Sequence, residues 1–460
     1  MVSGRVGGAG GADRSPIDTL AIADRAVALA AAAGATEAEA LVSAERAQLT
    51  RFANSEIHQN VAETNGSLNL RVAIGKRVGV ASSNRLDDDG LRALAETATA
   101  IARNSAELDD WGGLPAPTQV TEIAAAWSDG TAGATPEQRA EGVRAVISAA
   151  DAVGVRAYGS FSTSAEHLAV ANSKGIRVAQ RRTTSQLLTV MMAADGGSGY
   201  AEAASVDAGE IDAAVVGREA AEKARSTANP VSVDPGDWTV VLEEPAVVDL
   251  LSMLAFMGFS ALAVQEERSF AEPGKVIGSE LVTIVDDATE PGAMPMAFDY
   301  EGVAKQKVVL VERGVCRDVV YDAQTAARGG VTSTGHGLPA PNGYGPFPLN
   351  MVMSAGSTSR EALVGEMERG LLVTRFHYTN PVHPKLAIVT GMTRDGTFLV
   401  EDGRIVGPVR NLRFTQSYLA ALAGTVAVGR ERRTLKGDFG GVLVPAVRID
   451  GWTFTGATEH

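Results

Sequence analysis

Cysteine and histidine are scarce in this sequence of 460 residues, which contains one cysteine, Cys316, and six histidines. A single cysteine excludes an intramolecular disulfide and is typical of a reducing compartment. No apolar run reaches the roughly 20 residues that a bilayer-spanning helix needs, and the N-terminus lacks the apolar stretch of a secretory signal. We therefore expect a cytoplasmic protein without a membrane segment, in which residues 1–15 form a flexible tail.

Basic charge is also low, with 41 basic against 55 acidic residues and a net charge of -14. This balance favours solubility and argues against a nucleic-acid-binding surface, because such surfaces attract phosphates through clustered Lys and Arg. The hydrophobic content of 45% and the charged content of 21% are ordinary for a folded globular protein. Since one hydrophobic core rarely supports a chain of this length, we expect two or three domains.

The order of the predicted elements indicates an α+β fold. A helix, a set of alternating strands and a second helix occur twice before Pro235. We predict an N-terminal α+β region over residues 16–234, which divides into sub-units of about 16–110 and 120–230. Residues 235–460 are β-rich and predict a mainly antiparallel barrel or sandwich around one buried central helix.

Turn and cap signals give local predictions. Gly75-Lys76 and Ser173-Lys174-Gly175 separate alternating runs and predict hairpins, while the acidic residues from Asp87 and the Thr135-Pro136 pair predict helix starts. In the C-terminal half we predict tight turns at Glu301-Gly302, Arg313-Gly314, Asp395-Gly396 and Asp402-Gly403, and helices over residues 359–370 and 415–427.

The central stretch, WTVVLEEPAVVDLLSMLAFMGFSALAV, predicts a strand from Trp238 to Leu242 and a helix from Pro245 to Ala263. Proline costs nothing in the first turn of a helix, and acidic residues there face the positive end of the helix dipole. From Val247 to Val264 the only ionisable residue is Asp249. A helix that is apolar nearly all round is buried in the core of a large protein.

Several motifs, in fixed order, resemble the TldD/PmbA family, which was first described as modulators of DNA gyrase and later as peptidases. They cover most of the chain outside the predicted tail. The motifs are ERAQLTRFANSEIHQNVAETNGSLNLRVAIGKRVGVASSN (45–84), the central stretch, VTIVDDATEPG (282–292), FDYEGVAKQ (298–306), STGHG (333–337), GLLVTRF (370–376), TGMTRDGTFLVEDGRIVGPVRNLRFTQS (390–417) and PAVRIDGWTFTG (445–456).

The resemblance implies a zinc site at the start of the central helix, because peptidase members carry H-E-x-x-x-H there and a cysteine near the C-terminus. In this chain Glu244 replaces the first histidine, Pro245 the general base and Asp249 the second histidine. Cys316 lies well before the expected cysteine, and the stretch before PAVRIDG, residues 436–441, contains none. Zinc requires imidazole or thiolate donors and a glutamate that takes the proton of bound water, so we do not expect zinc at this site.

Glu244 and Asp249 stay weak candidates for a hard cation. A step of five residues on a regular helix turns through about 500°, which points the two side chains about 140° apart. We favour the simpler interpretation, in which Glu244 caps the helix and Asp249 lies in its first turns.

The STGHG motif contains the most suggestive histidine, His336. Its flanking glycines let the backbone approach a ligand, so Thr334, Gly335 and His336, together with Arg394, are our candidate peptide-binding residues. A loop histidine that holds a turn is the competing interpretation. A hydrolytic site could in turn combine His336 with Ser333 or Thr334 and with the acidic residues Asp286, Asp287, Asp299 and Glu301, but no nucleophile-elbow motif surrounds these side chains.

Taken with the missing motif, the resemblance implies the PmbA/TldE-like branch. Such a chain would be a non-catalytic subunit, inactive alone, of a heteromeric zinc-dependent peptidase that acts on unstructured peptides or matures modified ones. Zinc would then belong to a TldD-like homologous partner, and this chain would complete the chamber for extended peptides. A homodimer is an alternative state of the isolated chain. Two other hypotheses stay open: an independent hydrolase or metallopeptidase near His336, and a peptide-binding module without catalysis.

Overall fold

A computed structural model describes residues 17–437 and 440–457. The tail predicted at residues 1–15 lies outside these ranges. In chain order the N-terminal half contains α1 (Thr19–Ala32), β1 (Glu37–Ala53), β2 (Glu56–Ile74), β3 (Arg77–Ser83), α2 (Asp88–Asn104), α3 (Asp129–Ala132), α4 (Pro136–Val153), β4 (Arg156–Asn172), β5 (Arg177–Met192), β6 (Ser198–Ser205) and α5 (Ala213–Ser226).

These strands form one antiparallel sheet in the order β3-β2-β1-β4-β5-β6. The pairing of β1 with β4 joins the two helix-strand-helix units into a single sheet. Both predicted hairpins are present, since β2 meets β3 across Gly75-Lys76 and β4 meets β5 across 173–176. The helices pack on one face of this sheet, and the opposite face contributes Leu168 and Val170 to the core of the C-terminal half.

The predicted helix starts are also correct. The side chain of Asp87 accepts a hydrogen bond from the Gly90 amide at 2.7 Å and caps α2. Thr135 and Gln138 form a reciprocal capping box at the start of α4. Both motifs satisfy amides that the first turn of a helix leaves without an intrahelical partner.

The C-terminal half is predominantly β, and the α+β prediction is confirmed. Its elements are β7 (Gly236–Leu242), α6 (Glu244–Met257), α7 (Ala261–Gln265), β8 (Ile284–Asp286), β9 (Val308–Glu312), β10 (Val315–Cys316), α8 (Ala323–Gly329), β11 (Asn350–Met353), α9 (Arg360–Gly365), β12 (Arg369–His383), β13 (Ile388–Glu401), β14 (Arg404–Pro408), β15 (Leu412–Ser417), α10 (Tyr418–Ala423), β16 (Thr425–Lys436) and β17 (Gly441–Ala457).

The pairings of five strands close on themselves. β7 pairs with β12, β12 with β13, β13 with β15, β15 with β17, and β17 again with β7. This closed circuit is a barrel, one of the two arrangements, barrel or sandwich, that the sequence predicts, and α6 packs against β12 and β17. Aromatic rings fill it, with Phe376 stacked on Trp452 at a centroid distance of 4.9 Å and Phe414 at 4.7 Å from Phe376.

The central helix is shorter than the predicted range of Pro245 to Ala263, because it ends at Met257 and a separate short helix follows. A side chain at Gly258 would lie 2.2 Å from the ring of Phe270, so only glycine lets the two segments pack this closely. Beyond the break, the amide of Val320 donates to the carbonyl of Phe259. These contacts replace the helical hydrogen bonds that the sequence pattern predicts.

Three other local predictions were wrong in extent or type. Asp395-Gly396 lies inside β13, whereas Asp402-Gly403 and Arg313-Gly314 do turn between strands. The helix predicted over 359–370 ends at Gly365, because β12 begins at Arg369 and pairs with β7. The helix predicted over 415–427 is confined to α10, since β15 and β16 take its flanks.

Within the described residues, no helix is both long and apolar enough to cross a membrane. The predicted division into domains stays a prediction.

Candidate functional site

The N-terminal end of α6, which we call the head of α6, directly follows β7, a strand of the barrel. β7 ends at Leu242, Glu243 takes the cap position, and Glu244 and Pro245 form the first turn. The side chain of Glu244 is 1% exposed and that of Glu243 is 7% exposed. Burying two carboxylates this deeply is costly unless cations accompany them.

Arg360, the first residue of α9, supplies one of these cations. Its guanidinium donates to Glu244 through Nη2 and to Glu243 through Nη1 at 3.0 Å. Lys223 of α5 approaches the other oxygen of Glu243 at 2.7 Å. Each carboxylate at the head of α6 therefore has a cation from another helix as its partner.

The ion pairs continue into a closed group. Lys223 also pairs with Glu219 at 3.0 Å, and Arg433 of β16 pairs with Glu219 at 3.1 Å. We call Glu219, Lys223, Glu243, Glu244, Arg360 and Arg433 the ion-pair cluster; it carries equal numbers of acidic and basic side chains.

The electrostatics of the ion-pair cluster favour its charged form. Burial raises the pKa of Glu219, but the charges of Lys223 and Arg433 outweigh burial and bring that pKa down to about 2. Burial likewise opposes ionisation of Glu243, whose pKa is nevertheless lowered by Lys223 and Arg360. Glu219 and Glu243 are therefore ionised at neutral pH, and protein cations neutralise both.

Asp249 is held by different elements. Its carboxylate accepts hydrogen bonds from the Thr379 hydroxyl of β12 at 2.6 Å and from the Tyr418 hydroxyl of α10 at 3.1 Å. Burial and the neighbouring Asp249 raise the pKa of Tyr418 well above its usual range, so this phenol stays a donor.

The residues at the head of α6 do not fit a zinc ion. Glu244 is bound to Arg360 and Asp249 to two hydroxyls, and neither position offers imidazole or thiolate. In residues 17–437 and 440–457, no three His, Cys, Asp or Glu side chains are grouped so that they could hold a metal. The sole thiol, Cys316, is buried in β10, and burial raises its pKa to about 11, which keeps it protonated.

An open cleft of about 380 Å³ borders the outer side of α6. Pro245, Asp249 and Ser252 line one wall, and Arg375 and Lys436 line the other. Arg375 is fixed by Asp395 at 2.8 Å and lies over the ring of Tyr200 at 4.4 Å.

The STGHG loop, by contrast, is part of the interior. His336 has no exposed side-chain surface; its Nε2 lies 2.8 Å from Asp286 Oδ1, and Lys305 Nζ lies 3.0 Å from the same oxygen. Its Nδ1 lies 2.9 Å from both the carbonyl and the hydroxyl of Thr334. Burial and Lys305 lower the pKa of His336, which favours a neutral imidazole.

The other candidate peptide-binding residues are not gathered around His336. The Thr334 hydroxyl interacts with the backbone of Tyr321, accepting from its amide at 2.8 Å. Gly335 has a φ of 72°, and a Cβ there would lie 2.3 Å from the Ala304 carbonyl oxygen. Arg394 lies on β13 opposite Arg375, so it belongs to the side of the barrel that carries the cleft.

Thr334, His336 and Asp286 do form a hydroxyl-imidazole-carboxylate row, as the hydrolase hypothesis requires. The row is sealed, however, because His336 and Asp286 are completely buried and Lys305 neutralises Asp286. Ser333 donates to the Tyr321 carbonyl at 3.1 Å instead of facing the imidazole. A substrate carbonyl could not reach these groups without displacement of the loop.

The acidic residues predicted near this loop join a buried group that the sequence pattern did not reveal. Arg71 of β2 pairs with Glu39 of β1 at 2.8 Å and with Glu301 at 2.9 Å. Burial raises the pKa of Glu39 to about 7, and burial together with Glu301 raises the pKa of Asp299 to about 8. Asp287 lies apart from this group and pairs with Lys307 at 3.0 Å.

A groove of about 600 Å³ runs between the C-terminal half and the face of the N-terminal sheet that lies opposite the helices. Strands β1, β2, β4 and β5 form its floor, and residues 294–296, 349–350 and 440–441 form the opposite wall. Glu166 and Arg182 cross the floor as an ion pair at 2.6 Å. Lys436 lines both this groove and the cleft beside α6, so the two spaces adjoin.

Three family models match the chain in sequence. The PmbA/TldA metallopeptidase domain 1 covers residues 38–102, the central domain covers 131–227, and the C-terminal domain covers 235–456. The chain belongs to the PmbA/TldD metallopeptidase family. This family places the head of α6 at the start of its C-terminal domain.

Curated PmbA/TldD relatives are similar over part or all of the chain. A metalloprotease PmbA homolog of Haemophilus influenzae is 24% identical over 454 residues, which is 93% of this chain and 94% of the relative. A metalloprotease TldD homolog of the same organism is 26% identical over 269 residues, or 54% of each chain. An uncharacterised protein of Methanocaldococcus jannaschii is 34% identical over 194 residues, 45% of its length. Two of these three relatives are thus matched over only about half of their length.

Solved structures share the PmbA/TldD fold. TldE from Thermococcus kodakarensis superposes with a TM-score of 0.87 at 22% identity and covers 95% of this chain and 100% of its own. A Thermotoga maritima protein, named as a candidate modulator of a DNA gyrase, has a TM-score of 0.82 at 20% identity and covers 95% of this chain and 99% of its own.

The head of α6 in this PmbA/TldD chain is recognisable from the sequence, but the cations that pair with it are not. Arg360 lies 117 positions from Glu243, and no local pattern links the two. The one available signal was the cost of a Glu-Glu pair in an otherwise apolar stretch, which demands cations from elsewhere in the chain.

Proposed function

We propose that this chain is a PmbA/TldE-like, non-catalytic subunit of a heteromeric zinc-dependent peptidase. The observation that carries the proposal is the ion-pair cluster at the head of α6. At the position where the resemblance implies metal ligands and a general base, Arg360 neutralises Glu244 and Pro245 offers no acid-base group. A TldD-like homologue would supply the zinc and the base, and this chain would be a pseudoenzyme that is inactive alone.

The contribution of this chain would be to the space in which the substrate lies. The groove has a floor of extended strands and a mixed polar and apolar lining, which suits an extended, unstructured peptide better than a folded domain. Its continuity with the cleft beside α6 would guide such a peptide toward the neighbouring subunit. Proteolysis of unstructured peptides or maturation of modified ones is the activity that we propose for the complex.

Zinc content and activity of separate and combined subunits test the proposal. The chain purified alone should contain far less than stoichiometric zinc by elemental analysis and should not cleave an unstructured fluorogenic peptide. Co-expression with a homologue that carries H-E-x-x-x-H should yield a complex with chelator-sensitive peptidase activity, lost when the motif glutamate of the homologue is replaced by glutamine. Stoichiometric zinc in the lone chain, or equal activity of the homologue without it, would overturn the assignment.

The same assay distinguishes the proposed non-catalytic subunit from an independent hydrolase. Chelator-resistant activity of the lone chain that disappears in His336→Phe would favour a site at the STGHG loop. The burial of His336 and its contact with Asp286 argue for the opposite outcome.

A further inference from the structure

The barrel carries arginines on three neighbouring strands. Arg375 of β12 pairs directly with Arg394 of β13, and Arg413 of β15 pairs with Met392, two positions before Arg394. Arg394 and Arg413 are therefore diagonal neighbours, with Cα atoms about 7–8 Å apart. Lys436 of β16 lines the cleft beside α6 together with Arg375. We call Arg375, Arg394, Arg413 and Lys436 the basic patch.

The arginines of the basic patch point away from the barrel interior. Phe376 and Phe414 directly follow Arg375 and Arg413 in sequence, and both rings lie in the hydrophobic core. Because successive side chains of a strand point to opposite faces, the two arginines lie on the outer face of the barrel. Arg394 shares that face, since direct partners on neighbouring strands point the same way. Arg413 is exposed and Arg394 is half-buried, so a ligand can reach both.

Most cations of the basic patch lack an acidic partner. Asp395 accepts a hydrogen bond from Nε of Arg375 at 2.8 Å. Across residues 17–437 and 440–457, however, Arg394, Arg413 and Lys436 form no ion pair. Carboxylates are abundant in this chain, which has 55 acidic against 41 basic residues. The arrangement therefore leaves a local positive potential on an acidic protein.

A neighbouring imidazole responds to this potential. His377 lies two residues after Arg375 on β12 and is exposed. Burial, together with the charges of Arg394 and Arg375, lowers the pKa of His377, although Asp395 acts in the opposite direction. The positive charges thus outweigh the nearby carboxylate at this point of the surface.

Two carboxylates in the cleft decide where an anionic ligand would lie. Gln186 donates to Glu202 through Nε2 at 3.2 Å. The hydroxyls of Thr379 and Tyr418 donate to Asp249. These donors are uncharged, so the α6 side of the cleft keeps its acidic character. An anionic group would therefore bind over β13 and β15, away from α6.

We propose that the basic patch binds the acidic side chains of an extended, unstructured peptide whose chain continues into the cleft. The inference rests on the proposed function, to which it adds a substrate class, peptides rich in Asp and Glu. Guanidinium groups pair well with carboxylates, and cations spread over several strands fit several side chains better than one terminal carboxylate. Tyr378, which is 75% exposed beside the cleft, offers a flat apolar surface to the rest of the peptide.

Peptide binding to the full chain, purified alone, tests the proposal by fluorescence anisotropy. The probes are labelled, unstructured peptides with amidated ends that carry either glutamates or glutamines at the same positions. The glutamate peptide should bind about tenfold more tightly or better at low salt, and the difference should shrink at about 0.5 M salt. Equal affinity for the two peptides would overturn the proposal. So would full recovery of affinity when the glutamine peptide carries a free terminal carboxylate.

Substitutions within the basic patch locate the binding. Arg394→Gln and Arg413→Gln should each weaken binding of the glutamate peptide about three- to fivefold and leave the glutamine peptide unaffected. Arg394→Lys keeps the charge and should retain most of the affinity. Arg144→Gln is the matched control, because Arg144 is an exposed arginine of α4 outside the basic patch. Glutamate-peptide binding that survives both substitutions would place the acidic ligand elsewhere and overturn the proposal.

A competing polyanion provides a further test. A single-stranded oligonucleotide should compete poorly, since the basic patch is small and the net charge of -14 repels phosphates. Tighter binding of the oligonucleotide, lost in Arg394→Gln, would assign the basic patch to nucleic acid instead. Zinc-dependent cleavage by the combined subunits without preference for acidic peptides would contradict this inference alone. Selective binding by a chain whose complex has no peptidase activity would contradict only the proposed function.

Discussion

Arg360 bonds to Glu244 across 116 positions of sequence and places a guanidinium against the first turn of α6. Glu244 lies at the position where the family resemblance implies a metal ligand in peptidase members. A cation is thus present at this point of the fold, but the protein supplies it from α9. The arrangement explains how a buried Glu-Glu pair is tolerated between β7 and α6.

Removing this cation should destabilise the protein. In Arg360→Met, Glu244 keeps its burial but loses its partner, so we expect the free energy of unfolding to fall by about 2–4 kcal/mol, less than for a fully buried pair because Arg360 is partly exposed. Arg360→Lys should recover part of the loss, since it restores charge without the planar fork. Urea unfolding at neutral pH measures both. If Arg360→Met unfolds like the wild type, the pair does not hold the head of α6.

The buried group around Arg71 should make stability fall as pH rises. The pKa of Glu39 is raised from 4.5 to about 7 by burial, so the folded state binds a proton more tightly than the unfolded state does. The stabilising contribution of that proton is present below pH 4.5 and is lost as pH rises through about 7. Glu39→Gln keeps a neutral side chain at every pH. Its free energy of unfolding, relative to that of the wild type, should therefore rise by about 1–3 kcal/mol between pH 4.5 and about pH 7.

Unfolding of both proteins in urea, repeated across this pH interval, checks the prediction. Glu45→Gln, which changes a carboxylate of the same strand that lines the groove, serves as the control and should keep the wild-type slope. A constant difference between Glu39→Gln and wild type at all pH values would contradict the expected linkage.

Local signals predicted much of the fold. The cap at Asp87, the capping box at Thr135 and the turn at Gly75-Lys76 depend on neighbours within a few residues, so their chemistry is legible in the sequence. The turn at Asn54-Ser55, where both residues have positive φ, also had a local signal, but the alternating pattern around it hid the turn.

Other local predictions were wrong because residues distant in sequence determine the structure at those positions. Asp395-Gly396 and Asp402-Gly403 are the same dipeptide, yet only Asp402-Gly403 forms a turn. Next to Asp395, Arg375 of β12 pairs with β13, and this pairing keeps β13 continuous through Asp395-Gly396. Tertiary pairing overrides a local turn preference in such cases. The candidate site shows the same effect. Glu244 and Asp249 could be identified as candidates in the sequence. Arg360, Thr379 and Tyr418, in contrast, are brought into contact with them only by the fold.

Gly335 should tolerate no side chain. Its φ of 72° is unfavourable for other residues, and a Cβ would lie 2.3 Å from the carbonyl oxygen of Ala304. Gly335→Ala should therefore lower the free energy of unfolding by about 2–4 kcal/mol. Gly343→Ala is a matched control in the next loop, with no atom within 4 Å of the added Cβ, and should change stability little. Thermal unfolding of the two variants compares them directly.

Replacement of His336 distinguishes a structural role of this residue from a role in peptide binding. In His336→Phe a ring of similar size remains, but the contact with Asp286 at 2.8 Å and the contacts of Nδ1 with Thr334 are lost. We expect the free energy of unfolding to fall by about 2–4 kcal/mol, because Asp286 stays buried with one fewer partner. His167→Phe is the control; it replaces a half-buried histidine whose ring packs edge-on to Trp127 at 5.5 Å, and it should cost much less.

Peptide affinity of the assembled complex completes this test. If His336 holds the loop to β8, the folded fraction of His336→Phe should bind an unstructured peptide as the wild type does, because the imidazole has no exposed surface. Unchanged stability with lost peptide binding would instead support the binding role predicted for Thr334, Gly335 and His336. The loop would then have to open in solution and expose the imidazole, which hydrogen exchange of the Gly337 amide, bonded to Asp299 at 2.6 Å, would detect as rapid exchange.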